Sequence, residues 1–431
     1  GRLPAHWYAQ GTNGMVYLQS VIDLPALDSD ELDVLPLFCA CLTEVGSAGR
    51  DYRTTQARQA AVTGGISARA NVRGGVNDVT QVKGVLILAG KALARNHDAL
   101  SELLRETLTT ARFDELPRLR ELVAQIRAQR EEAVTDHGHM LALAAASAGL
   151  SPVAALNHRW DGLHGLKALK ALDDTLDDAG ALRAFAERLE RLRDRLRDLP
   201  RQLLVVGEAE RQDAIAAALA AHWPDNSAPM TEPFTLAPPA SQPPRQGFRV
   251  NTQVNFCAKA YPTVAPNHPD APALQVLGDF LRNGYLHRAI REQGGAYGGG
   301  AGYHPDSGAF RFYSYRDPRL ADTLTDFDRA LDWLQTHDHP ARTLEEAILG
   351  VIAAIDKPGS PAGEAVTAFF GTLFGRTPEQ RRAFRQRVLQ VTLDDLKRVA
   401  AAWLKPEQAR YAVLSDGRTL AEQSDWAIVT V

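Results

Sequence analysis

Apolar positions along the chain fall into two rounds of one pattern. Residues 14–22 suit a strand, and Leu32, Leu35, Phe38 and Leu42 then recur at helical spacing over 28–42. A second helix is expected over 54–62, stopping at Thr63-Gly64-Gly65. Alternation over 66–72 and an apolar run over 82–89 predict two further strands. From Lys91 to about Arg197 the pattern is almost wholly helical, broken at 149–152 and 178–180. Residues 203–207 read as a short buried strand and 211–222 as a helix.

The composition then shifts. Residues 224–246 contain seven prolines and read as an extended linker. Beyond them the plan restarts, with a strand expected over 248–260 and a helix over 270–292. Gly294-Gly295 ends that helix, and 309–315 is an aromatic strand. Asp317-Pro318 reads as an N-cap and first helical residue, followed by one apolar face at Leu320, Leu324, Phe327, Leu331 and Leu334. Helices are also expected near Pro361 and from capping boxes at Thr343/Glu346, Thr377/Gln380 and Thr392/Asp395. A closing strand over 409–414 answers the one at 203–207. The pattern predicts an α+β fold of two tandem homologous domains, each a mostly antiparallel sheet with helices on one face. The first spans 1–223 and carries the long helical stretch; the second spans 247–431.

Composition narrows the functional classes. The chain has 431 residues, 45% hydrophobic and 23% charged, as in a soluble globular protein. A net charge of −4 and pI near 6.3 argue against nucleic acid as a partner. No apolar run approaches the ~18 residues of a membrane span. The start, Gly-Arg-Leu-Pro, has neither a basic nor an apolar leader segment, and a cytoplasmic location is expected. A chain beginning this way reads as a fragment or a processed form. Cys39, Cys41 and Cys257 are odd in number, which favours free thiols in a reducing compartment.

Candidate chemistry is sparse except in one place. No H-x-x-E-H or H-E-x-x-H occurs, and the close pairs His137/His139 and His337/His339 lack a third ligand. There is no G-x-S-x-G and no phosphate loop. What remains is Arg291-Glu-Gln-Gly-Gly-Ala-Tyr297-Gly-Gly-Gly-Ala-Gly-Tyr303, with six glycines between 294 and 302. Such glycines allow close approach of another molecule to the backbone. Arg291 offers a rigid fork of donors and Tyr297 a hydroxyl, a pair suited to a developing oxyanion. The same residues also suit a helix-end Arg and a Tyr packed after a glycine cap.

At these residues the chain resembles the pitrilysin/insulinase superfamily of inverted-motif zinc peptidases. Ile290-Arg291-Glu-Gln-Gly-Gly-Ala-Tyr297-Gly is similar to its Arg/Tyr segment. Phe312-Tyr-Ser-Tyr-Arg-Asp-Pro318, residues 67–72 after Thr63-Gly-Gly65, and Asp136-His-Gly-His139 point to the presequence-protease branch. The resemblance implies the zinc-free C-terminal half of a two-half enzyme that closes around unstructured peptides. It implies that Arg291 and Tyr297 act on substrate and transition state, with Gly294, Gly295, Ala296 and Gly298 binding substrate. In the catalytic register Leu37, Ala40 and Cys41 stand where the two His ligands and the Glu base would be, so no cofactor is expected here. Zinc belongs to the missing catalytic half, the implied partner, which is either on the same polypeptide or a separate chain. The alternative is a standalone inactive scaffold subunit that pairs with a catalytic chain.

Overall fold

The structure, a computed structural model, describes residues 4–224 and 232–431. In the first copy the strands are β1 (Ala5–Ala9), β2 (Met15–Asp23), β3 (Gly46–Ser47), β4 (Ile66–Gly74), β5 (Val82–Leu93), β6 (Ala111–Arg112) and β7 (Arg201–Gly207). Its helices are α1 (Ser29–Leu42), α2 (Tyr52–Val62), α3 (His97–Thr110), α4 (Leu116–Asp136), α5 (Gly138–Ser147), α6 (Pro152–Trp160), α7 (Leu163–Asp173), α8 (Ala179–Arg197) and α9 (Gln212–His222). The second copy has β8 (Arg245–Arg249), β9 (Phe256–Pro262), β10 (Gly298–His304), β11 (Ala309–Tyr315), β12 (Arg410–Ser415) and β13 (Ala427–Thr430). Its main helices are α10 (Ala271–Leu281), α11 (Ala321–Thr336), α12 (Ala341–Ile355), α13 (Pro361–Leu373), α14 (Pro378–Leu389) and α15 (Leu393–Trp403).

The two sheets repeat one topology. The first runs β1-β7-β2-β5-β4 and the second β13-β8-β12-β9-β11-β10. With β13 set aside, the first strand of each copy lies parallel to its last, β1 with β7 and β8 with β12. The other matched neighbours are antiparallel.

Each copy's own helices cover one face of its sheet. Ile22, Leu86, Leu88 and Val205 pack with Phe38, Phe113 and Leu189. In the second copy, Cys257, Tyr261, Phe310 and Phe312 pack with Leu274, Leu277, Phe327 and Leu396. The opposite faces are exchanged between copies. Helix α5 crosses β9, β11 and β12, setting Ala142, Ala145 and Ala146 against Phe256, Ala258, Ala412 and Leu414. Helix α13 lies on the first sheet, with Phe369, Phe370 and the following Phe374 against Val85, Ile87, Leu204 and Val206. Helices thus cover both faces of each sheet, one face from within the copy and one from the other copy.

Several local expectations change. The strand expected over 248–260 is two strands: β8 pairs with β12, the chain turns at 250–255, and β9 lies on the other side of β12. Asp317 does not cap α11. It bonds the Arg319 N–H at 2.9 Å and the Thr323 hydroxyl at 2.7 Å, and the helix starts at Ala321. Thr343 caps nothing, because α12 already begins at Ala341 after Pro340, and Glu346 pairs instead with Arg342. The boxes at Thr377 and Thr392 form. Part of the proline-rich stretch lies outside the described residues. Of the rest, Phe234 is buried in the first core and Arg245 already belongs to β8.

Candidate functional site

The approach to the Arg/Tyr segment is set by an unusual helix. After α10 the backbone widens into a π-helix over Arg282–Gln293. Such widened turns are rare and concentrate at functional sites. The sequence pattern, an ordinary helical one, gives no sign of it. At its end the Gly294 N–H donates to the Arg291 carbonyl, and Gly295 turns the chain at φ +79°.

The glycines beyond do not form a loop. Gly298–His304 is β10, the edge strand of the second sheet, paired with β11 from Gly298↔Tyr315 to His304↔Ala309. Main-chain pairing needs no side chains, so glycine serves here at a cost in chain entropy. A Cβ at Gly299 would meet the Ile290 side chain at 2.9 Å, whereas one at Gly298 or Gly302 would meet nothing within 4 Å. One face of this edge strand is therefore bare backbone.

Tyr297 stands just before β10 and is 68% exposed. Its N–H donates to the Tyr315 carbonyl at 3.1 Å, and its ring meets the Tyr315 ring edge-on, with centroids 5.5 Å apart at 88°. The Arg291 guanidinium carbon lies 5.9 Å from the Tyr297 centroid, within cation–π range. Arg291 is also exposed, and among the described residues no carboxylate pairs with it. Gly294 and Ala296 are buried beneath the pair, Gly295 is exposed and Gly298 is half-buried.

Two supports were not legible in the chain. Arg319 packs under the turn so closely that a Cβ on Gly294 would stand 1.9 Å from its guanidinium. Arg319 is itself held by Asp326 at 3.1 Å and the Ala289 carbonyl at 3.3 Å. The other support is His139, whose ring contacts Tyr313 and Tyr315 at centroid distances of 5.5 and 4.7 Å. Burial, aided by His137, holds its pKa below the usual histidine value. Arg316, at φ 49°, reaches Asp136 at 3.1 Å. The segments 136–139 and 312–318 thus meet behind Tyr297.

The three degenerate positions sit on α1. Leu37 and Cys41 are buried in the first core and Ala40 is exposed. Burial pushes the Cys41 thiol up to about 12, against the nearby charge of Arg118. An aliphatic side chain, a methyl group and a protonated thiol do not fit a zinc ion. The turn after α1 is held by Glu115, which accepts from the Gly46 N–H at 2.7 Å and the Tyr52 N–H at 3.0 Å. His337 bonds Thr336, and His339 reaches the Leu334 carbonyl at 3.0 Å. Among the described residues no group of three or more His, Cys, Asp or Glu could hold a metal ion. All three cysteines are free and buried. Among the described residues no helix is long and apolar enough to cross a membrane.

Comparison with known families agrees with this geometry. A model described as peptidase M16 subfamily C associated matches residues 1–172, and one described as PreP C-terminal domain matches residues 245–413. The chain belongs to the M16 peptidase family. Within it, the chain corresponds to the C-terminal half of a presequence-protease-like member. It is 31% identical over 430 residues to the mitochondrial presequence protease of Danio rerio, covering 94% of this chain and 41% of that protein. The chain thus spans less than half the length of this relative. The fold matches the peptidase M16 inactive domain from Pseudomonas fluorescens, with TM-score 0.62 and 17% identity over 96% of this chain and 95% of that one. It also matches the periplasmic protease PqqL from Escherichia coli, with TM-score 0.57 and 14% identity over 95% of this chain and 44% of that one.

Proposed function

We propose that this M16 half is the non-catalytic, substrate-binding half of a zinc metalloendopeptidase that degrades unstructured peptides. The observation that carries the reading is the pairing of Arg291 with Tyr297. Both are exposed, and among the described residues Arg291 has no counter-ion. They stand at the head of an edge strand whose free side offers unpaired backbone groups. An extended peptide can add to such an edge by main-chain hydrogen bonds. Arg291 and the Tyr297 hydroxyl then donate to the peptide backbone and to the scissile carbonyl as charge develops on its oxygen. The zinc and its activated water belong to the other half, which acts as a partner, and Gly295 and Gly298 line the path of the substrate.

The deciding experiment assays this chain alone, the catalytic half alone, and the two together on an unstructured peptide. Cleavage should require both. Cleavage by this chain alone, or full cleavage by the catalytic half alone, overturns the reading. A standalone scaffold is the second reading, favoured by the match to a separately crystallised inactive domain of nearly the same extent. It is distinguished by stable pairing with a catalytic chain whose rate is indifferent to Arg291 and Tyr297.

A further inference from the structure

On the outer face of β11, the side chains of Arg311, Tyr313 and Tyr315 follow one another at alternate positions. Tyr315 backs Tyr297, and Arg311 lies at the other end of the strand. There a cavity of about 230 Å³ opens between helices α5 and α6 of the first copy and the β10–β11 hairpin of the second. Arg311 lines it and is largely enclosed, yet among the described residues it makes no ion pair and no hydrogen bond. A guanidinium that gives up water without gaining an acceptor is costly. Burial alone pushes its pKa down to about 10, so it stays charged at neutral pH.

Other groups in the same cavity also lack partners. Ser147 is 2% exposed and its hydroxyl has no partner. The Asn157 side chain faces the cavity as well. The acidic neighbours are committed elsewhere: Asp161 to Arg130 at 3.3 Å, and Asp306 to Arg376. His304 bonds the Ser307 hydroxyl at 2.8 Å, and burial together with the Arg311 charge pushes it down to about 4, so it is neutral. The cavity therefore presents one uncompensated positive charge with hydroxyl and amide groups around it. It joins the bare face of the edge strand, because Gly302, the register partner of Arg311, has open space where a Cβ would be.

We infer that this cavity is a carboxylate subsite, in which Arg311 receives a carboxylate of an extended peptide lying along β10. Four residues separate Gly298, opposite Tyr315, from Gly302, opposite Arg311. The bound carboxylate accordingly sits about 14 Å along the strand from the Arg291/Tyr297 end. A planar carboxylate takes two parallel donors from a guanidinium, and the Ser147 and Asn157 side chains supply further ones. The carboxylate comes either from an Asp or Glu side chain or from the peptide's C-terminus. The inference rests on the proposed peptide-binding role of this half.

The test uses the complete two-half peptidase and a peptide series in which a single Glu is walked along the sequence. Each peptide is compared with its Gln analogue, and each free acid with its C-terminal amide. The expected result is a KM about tenfold or more lower for Glu than for Gln at one position, or for the acid than for the amide, with kcat little changed. The first outcome assigns a side-chain carboxylate and the second a terminal one. Arg311→Gln should erase the difference and Arg311→Lys should keep part of it. Equal KM values throughout both series with the wild-type protein overturn the subsite, even if the variants fail to fold. If the wild-type enzyme neither binds nor cleaves any peptide, the proposed function falls and takes the subsite with it.

Discussion

Gly138 lies so close to Phe256 that a Cβ on it would stand 2.5 Å from the ring. Gly138 opens α5 in the first copy and Phe256 opens β9 in the second, so this contact sets how closely the exchanged helix can approach its sheet. Gly138→Ala should destabilise the protein by about 1–3 kcal/mol, the usual cost of overpacking, despite alanine's better helix propensity. Urea unfolding measures it, and an unchanged midpoint would show that the seam yields freely.

The exchange also makes the two copies one cooperative unit. Phe370 of α13 is buried against the first sheet. Phe370→Ala should cost about 3–5 kcal/mol, and the wild-type chain should unfold in a single transition by both far-UV and tryptophan signals. Two separated transitions would count against mutual dependence.

In the complete enzyme, Tyr297→Phe should reduce kcat by about 10²–10³ while leaving the thermal midpoint where it was. Tyr297 is exposed and its backbone bond to Tyr315 survives the change. Arg291→Lys should raise KM as well, since an ammonium cannot reproduce the fork. A rate unaffected by either change would return the pair to a packing role.

Stability should fall on mild acidification. His158 packs against His164 and Phe248 at centroid distances of 6.2 and 6.1 Å, and its Nδ1 has no partner. Burial, with the charge of His164, pushes its pKa down to about 4. The unfolded value is about 6.5, so between pH 6.5 and 4 the unfolded chain binds more protons and stability drops as pH drops. His158 alone accounts for up to about 3 kcal/mol of this loss. Denaturant midpoints from pH 7 to 4.5 should show the slope, and His158→Gln should flatten it. Equal slopes in the two proteins would remove His158 as the cause.

Much of the fold is legible in the chain because periodicity reports burial. Leu32 to Leu42 and Leu320 to Leu334 show their helical faces directly, and both faces of β2 are apolar because both are covered. Residues 248–260 mislead because alternation continues through a polar turn at 250–255, and only pairing with β12 separates the two strands. The glycine segment reads as a loop because propensity cannot register a strand held by backbone alone. Arg291 and Tyr297 stand out for their glycine setting. Arg311 does not: the helices that enclose it lie some 150 residues upstream, and no local pattern carries that information.

The exchange of helices has a consequence for how the chain is made. The first sheet is complete at Gly207, but the helix that shields its outer face begins at Pro361, 361 − 207 = 154 residues later. At about 5–20 residues per second, the nascent chain holds Val85, Ile87, Leu204 and Val206 uncovered for about 8–30 s. A polypeptide ending at residue 224 should therefore aggregate on release from the ribosome, which sedimentation would reveal, although its own sheet and first core are already in hand. The late half is in effect the chaperone of the early one.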